Sequence, residues 1–247
     1  MSNKIPKIGI VGWSTGDNSF GTTKSYLHFL SFFGDVRILT PKNYIDEDLD
    51  LVVMPGGKDT LPARYGQAPG YYNSDPDQFK EHFALVNLPM YIEAGIPIFG
   101  ICLGMQMLCV HFGGELVQNI DLGTHGYSDE KSAEGRGQLV NDIIFTPKFT
   151  LLEIQLLKEN KLKRIKTCSL HHQGVKLGTV PDELQVIAYT KDDIVEFIQH
   201  ETLPIAGCQS HPEEDFSPLS IHLIEKLIKR SPNLQNENER HTLADKV

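Results

Sequence analysis

A surplus of positive charge is missing from this 247-residue chain: 23 Lys and Arg stand against 32 Asp and Glu, for a net charge of −9. Phosphate backbones are bound by basic faces, so this balance argues against nucleic acid as a partner. The one dense basic stretch, Lys158 to Lys166, is interleaved with Leu and Ile and reads as the solvated face of an amphipathic helix. Long apolar runs are missing too. Nothing approaches the roughly 20 apolar residues that span a bilayer, so no membrane association is expected. The opening MSNKIPKIGIVGW runs into strand-like residues without an apolar leader core, which predicts a cytoplasmic protein. The four cysteines (Cys102, Cys109, Cys168, Cys208) form no C-x-x-C pair and no zinc-like spacing with histidine. No metal and no cofactor is expected, and a reducing compartment would keep these thiols free. Also absent are a P-loop, an ATP-binding glycine motif, an internal repeat and any linker-like shift in composition.

What is present is the 40% hydrophobic, 22% charged balance of a globular chain. Strand and helix signals alternate through the first hundred residues. Lys7 to Trp13 reads as a strand, followed by a Gly/Ser/Thr/Asp loop and a helix over Thr22 to Phe33. Val36 to Leu39 and Leu51 to Met54 are strands, the latter stopping at Pro55-Gly56-Gly57. A long loop, Lys58 to Asp77, leads to a helix from Asp77 to Ala94. Ile96 to Ile101 is a buried strand and Leu103 to Phe112 a helix. Such alternation predicts right-handed βαβ units and an α/β, doubly wound, mostly parallel sheet with helices on both faces. Later strands (Gln138 to Phe145, Arg164 to Cys168, Leu184 to Tyr189, Ile194 to His200, Ile205 to Gln209) are hairpin-like and predict antiparallel additions to one sheet edge. Helices are expected over Leu151 to Asn160 and Ser217 to Lys229. Residues 1–230 read as one domain and 231–247 as a polar, mobile tail.

Cys102 lies between a buried strand and a helix, with Gly100 two residues before it and Gly104 two after. This is the glycine-flanked nucleophile elbow with cysteine in place of serine. Crowding explains the glycines: a nucleophile in a tight turn needs neighbours without Cβ atoms so that strand and helix approach closely. The elbow aims the sulfur at the carboxyl end of the sheet, where open α/β folds bind ligands. It also leaves the Leu103 N–H at a helix start, free to hold an oxyanion. Alone, the pattern also fits a buried structural cysteine. The segment Cys208-Gln-Ser-His-Pro-Glu213 supplies the context, since His211 after a strand can serve as base and acid and Glu213 can fix its tautomer.

With these residues in view, the chain resembles the class I, triad-type glutamine amidotransferases, and within them the γ-glutamyl-γ-aminobutyrate hydrolase-like branch (peptidase C26-like). The resemblance covers roughly residues 5 to 229. It rests on Val53-Met-Pro-Gly-Gly57 with Asp59 and Tyr65-Gly66, Ile96 through Gln106, Gly113-Gly114, Ser169-Leu-His-His-Gln-Gly174, Val195-Glu196 and Gly207 through Glu213. It implies that Cys102 attacks a glutamine or γ-glutamyl side-chain amide to give a glutamyl thioester. His211 would then protonate the leaving amine and activate water, with Glu213 orienting it. Gly57 and Leu103 would donate the oxyanion hole, and Gly56, Gln106, Leu170, His171, His172 and Gln173 would bind substrate. Glu196 could line the pocket or sit on a solvated face, His125 is a loop residue, and His171 with His172 are not expected to bind a metal together.

Two departures carry expectations of their own. An aromatic residue is usual where Ser210 stands, which predicts a wider or wetter wall beside His211. Leu103 is usual among true amidotransferases, whereas many hydrolase-branch members carry arginine there. The resemblance therefore implies a small-molecule substrate and an ATP-dependent synthetase or ligase partner that receives ammonia, with a homodimer left open. The alternatives are a stand-alone γ-glutamyl hydrolase and a non-catalytic module that kept the fold.

Overall fold

The computed structural model describes residues 4–16, 19–120, 139–146, 166–168 and 170–235. The helix expected over Leu151 to Asn160, His125, Ser169 and residues 236–247 lie outside them. Eight strands form one sheet. Its parallel part comprises β1 (Lys7–Val11), β4 (Asp35–Leu39), β5 (Leu51–Met54), β6 (Ile98–Ile101) and β14 (Ile205–Cys208). β13 (Val195–His200), β12 (Leu184–Tyr189) and β9 (Ile144–Phe145) continue it antiparallel, giving the order β4-β1-β5-β6-β14-β13-β12-β9. The doubly wound α/β expectation holds, with three antiparallel strands added at one edge, but Leu139–Asp142 and Lys166–Cys168, also expected there, pair with each other outside the sheet. Short pairs flank the sheet: β2 (Trp13–Gly16) with β3 (Ser19–Gly21), β7 (Leu116–Val117) with β11 (Gly174–Val175), and β8 (Leu139–Asp142) with β10 (Lys166–Cys168).

The strand periodicity sorts side chains into two cores. Leu51 and Val53 pack with Phe29, Leu30, Leu223 and Ile224, from α1 (Lys24–Ser31) and α6 (Pro218–Ile228). Val52 and Met54 face the opposite layer, with Phe83, Leu88, Leu103 and Met107. That layer holds the helical stretch Gln78–Glu93 and α4 (Leu103–His111).

The stretch after Asp77 is less regular than its periodicity suggests. Asp77 caps α2 (Gln78–His82), its carboxylate accepting from the N–H groups of Phe79 and Lys80 at 2.9 and 3.2 Å. A π-helical turn, Phe83–Asn87, then precedes α3 (Leu88–Glu93), which carries Pro89 in its first turn. Proline has no N–H and crowds the carbonyl four residues back, and the wider turn absorbs the misfit.

Two further differences from the sequence expectation follow from packing. The segment read as a loop after Trp13 is the β2–β3 hairpin, held by Trp13 against Tyr26 and Phe20 against Phe79, ring centroids 6.4 and 4.8 Å apart. Tertiary contact overrides a composition poor in strand formers. Ser231 to Gln235, assigned to a polar tail, are tied to the body. The buried Ser231 hydroxyl donates to Asp50 at 2.7 Å, and Asn233 Nδ2 donates to the carbonyls of Glu47 and Leu49 at 2.8 and 2.9 Å. Among the described residues, no helix is long and apolar enough to cross a membrane.

Candidate active site

Three neighbouring parallel strands finish at one place. β5 runs into Pro55-Gly56-Gly57, β6 into Cys102, and β14 through Gln209 and Ser210 into His211. The ladder continues one step past β6, where the Cys102 N–H donates to the Cys208 carbonyl at 2.8 Å. Cys102 then turns sharply, with φ 51 and ψ −107, a conformation that costs an L side chain on the order of 1–3 kcal/mol. The flanking glycines make that turn fit. A Cβ on Gly104 would lie 2.0 Å from the Met54 carbonyl oxygen, and one on Gly100 would lie 2.6 Å from the Gly104 carbonyl carbon. Both neighbours are backbone, so no side-chain adjustment relieves the clash. Cys102 thereby caps α4, and the Leu103 N–H, first in the helix, has no intrahelical acceptor.

His211 meets Glu213 because Pro212 starts a short helix, α5 (Pro212–Asp215), which brings the carboxylate back onto the ring. His211 Nδ1 and Glu213 Oε1 are 2.7 Å apart. Among the described residues Nε2 has no hydrogen bond of ordinary length. The Cys102 sulfur is nevertheless close enough to act on the ring. Burial pulls the imidazole pKa down, but the negative charges of Glu213 and Cys102 outweigh that and hold it well above the usual histidine value. Gly56 packs under the ring: a Cβ there would stand 2.9 Å from both His211 Cε1 and the Tyr26 hydroxyl.

One flank of Cys102 is closed by amides. Gln209 Nε2 donates to the Cys102 sulfur at 3.5 Å, and Gln106 Nε2 donates to Gln209 Oε1 at 3.2 Å and to the Gln173 carbonyl at 3.0 Å. Among the described residues, the buried side-chain amide of Gln173 has no partner. His171 Nδ1 lies 2.8 Å from the Gln173 carbonyl oxygen and is buried, whereas the half-buried His172 turns outward to pair with Asp59 Oδ1 at 3.0 Å. The Asp59 hydrogen bond raises the His172 pKa, and the carboxylate charge adds to it against burial. Residues Leu170 to Gln173 lie in a loop rather than a strand. The two histidines diverge all the same.

The other flank is open. A cavity of about 630 Å³ is walled by Trp13, Tyr26, Gly56, Gly57, Phe79, Lys80, Leu170, His211 and Glu213, among others. Cys102, at 5% exposure, sits under this wall rather than in it. Ser210 is fully buried and takes no part in the cavity, contrary to the wider-wall expectation. Glu196 is also fully buried and accepts from Thr167 Oγ1 at 3.3 Å, which removes the solvated-face reading. Cys109 and Cys208 are packing residues, and burial pushes the Cys109 thiol up to about 12.

Sequence reasoning missed three neighbours of the site. Gln209 stands two residues before His211 in the motif itself, so its proximity was available. Tyr26, on α1, accepts the Gly56 N–H at 3.0 Å; burial raises its pKa well above the ordinary value, with Glu213 and Cys102 adding to it. Lys80, on α2, is 5% exposed and donates to the Gly56 carbonyl with its Nζ 4.6 Å from the Trp13 ring centre. Neither carried a local signal.

The peptidase C26 family model matches residues 35–213. A glutamine amidotransferase-like protein of Lactococcus lactis subsp. lactis is 30% identical over 200 residues, 78% of this chain and 80% of that protein. A glutamine-hydrolyzing GMP synthase component of Thermococcus kodakarensis is 30% identical over 147 residues, 58% of this chain and 64% of that protein. Among solved structures, a GMP synthase component of Thermoplasma acidophilum superposes with a TM-score of 0.61 at 20% identity, covering 96% of this chain and 100% of the other, a likeness of fold. The chain belongs to the peptidase C26 family, within the class I glutamine amidotransferase superfamily of cysteine-type hydrolases and amidotransferases.

Proposed function

We propose that this chain hydrolyses the side-chain amide of glutamine or of a γ-glutamyl compound through a Cys102–His211–Glu213 triad. The carrying observation is the 2.7 Å His211–Glu213 contact beside a cysteine held at positive φ. The Cys102 sulfur attacks the amide carbon, and the oxygen gathers negative charge against the N–H groups of Gly57 and Leu103. Each such donor is worth about 3–4 kcal/mol in the transition state. Collapse breaks the C–N bond, and the amine leaves with a proton from His211. Water then attacks the glutamyl thioester, His211 takes its proton, and glutamate departs as the sulfur is released. Gln106, Gln173, His171 and His172 border the flank that would hold the glutamyl moiety.

Two fates of the amine remain in play, each with support. The GMP synthase relatives support a glutaminase whose ammonia passes to an ATP-dependent synthetase. The cavity of about 630 Å³ on the histidine side supports a stand-alone γ-glutamyl hydrolase. It is far larger than ammonia needs and falls in the usual range of small-molecule sites. Purified chain assayed on glutamine and a panel of γ-glutamyl amides separates them. A hydrolase turns over substituted amides unaided; a dedicated glutaminase is nearly idle until a synthetase is added. In either case Cys102→Ala loses all amide hydrolysis while keeping its fold by circular dichroism, and retained activity in that variant would overturn the triad.

A further inference from the structure

Lys80 is a cation that the chemistry above does not use, held where a charge is costly. It donates to the Gly56 carbonyl, the Trp13 ring covers it, and it is 5% exposed. In a trans peptide the C=O of one residue and the N–H of the next point in opposite directions. An ammonium on the Gly56 oxygen therefore fixes which way the Gly57 N–H faces. Among the described residues that N–H has no acceptor of its own. The two glycines leave no side-chain route to the same rigidity: a Cβ on Gly57 would lie 2.5 Å from Lys80 Nζ and 3.1 Å from Leu103 Cδ2. The close approach to Leu103 also sets the two donor residues side by side.

We propose that Lys80 is a positioning residue that locks the Gly56–Gly57 peptide with its N–H aimed at the oxyanion and strengthens that donor by polarising the peptide. The proposal rests on the amide-hydrolysis reading above. The charge matters twice, because an ammonium both orients the carbonyl and draws electron density from the peptide nitrogen, and a neutral amine does each more weakly. Burial lowers the Lys80 pKa to about 8, opposed by the charges of Asp77 and Cys102, the ionisable groups that act on it. The lock is thus engaged below about pH 8 and slackens above it.

The test uses the full chain with Lys80→Met and Lys80→Arg, assayed on glutamine and γ-glutamyl-p-nitroanilide, together with the rate of iodoacetamide alkylation of Cys102. Alkylation forms no oxyanion. Lys80→Met is expected to lower kcat about 10- to 100-fold, with KM within about threefold of wild type and alkylation, which feels only the lost charge coupling between Lys80 and Cys102, falling by much less than kcat. Lys80→Arg should retain most of kcat and move the alkaline fall in kcat to higher pH. An unchanged kcat in Lys80→Met, or a parallel fall in alkylation, overturns the proposal, the second by moving the effect to the sulfur. Should Lys80→Met not fold, an unmoved alkaline limb in Lys80→Arg overturns it alone. Cys102→Ala on the same substrates keeps the two readings apart. Its residual hydrolysis would remove the triad, whereas an inactive Cys102→Ala beside a fully active Lys80→Met removes only the role of Lys80.

Discussion

The two flanks of Cys102 are built by opposite means. On one side buried amides fill the space: Gln209 donates to the sulfur, and Gln106 donates to the Gln209 side-chain oxygen and to the Gln173 backbone carbonyl. Toward α1 and α2, aromatic rings and polar side chains, Tyr26 and Lys80 among them, surround an open cavity. A filled polar flank has fixed hydrogen-bonding demands and suits a ligand part that never varies. An open, partly aromatic flank tolerates variation. Under the proposed chemistry the first faces the glutamyl group and the second the departing amine, so recognition of acid and amine would be separable.

Gln106→Leu is the largest test of that division. It leaves the buried Gln209 side-chain oxygen without its donor, at a cost of about 1–3 kcal/mol, and removes one of the two partners of the Gln173 carbonyl, which keeps His171 Nδ1. Catalytic efficiency should fall by the same factor, about tenfold or more, for every amide regardless of its amine. A loss that depends on the amine would break the division. Phe79→Ala attacks the other flank. It removes a wall of the cavity and the partner of Phe20, and should weaken γ-glutamyl amides of bulky amines by roughly 1–2 kcal/mol while leaving glutamine unchanged. Competition between glutamine and a γ-glutamyl arylamide reads both arms in one assay.

The same contrast explains what could be read beforehand. The elbow, Pro55-Gly56-Gly57 and the meeting of His211 with Glu213 were legible as geometry because each is a short segment whose conformation is set by local backbone. The space at Gly104, where a Cβ would lie 2.0 Å from the Met54 carbonyl oxygen, is such a constraint, and it leaves a glycine in the sequence. Lys80 leaves no comparable trace. On an amphipathic helix a lysine reads as solvent-facing, and only the Trp13 hairpin, itself mistaken for a loop, covers it. Tyr26 likewise reads as one more apolar position of α1 until β5 arrives beneath it. Ser210 shows the converse: its place beside His211 suggested a cavity wall, whereas the residue is fully buried away from the cavity.

A clasp joins the flanks, and it gives the smallest effect. Asp59, two residues past Gly57, pairs with His172 across 3.0 Å and anchors its own loop by accepting the Ser74 N–H at 2.7 Å. The Asp59 hydrogen bond raises the His172 pKa above the usual 6.5. By linkage, the stability this pair contributes is fully present below pH 6.5 and is lost as pH rises through the raised value. The pair is partly solvated, so its contribution should stay under about 1 kcal/mol. Asp59→Asn leaves burial as the remaining influence, which lowers the pKa. An imidazole titration of the full chain should therefore show the His172 midpoint moving to lower pH, and the stability gap between wild type and Asp59→Asn should close as pH rises. A gap that widened with pH would mean that His172 pairs in its neutral form, and the clasp would then hold both flanks without any charge.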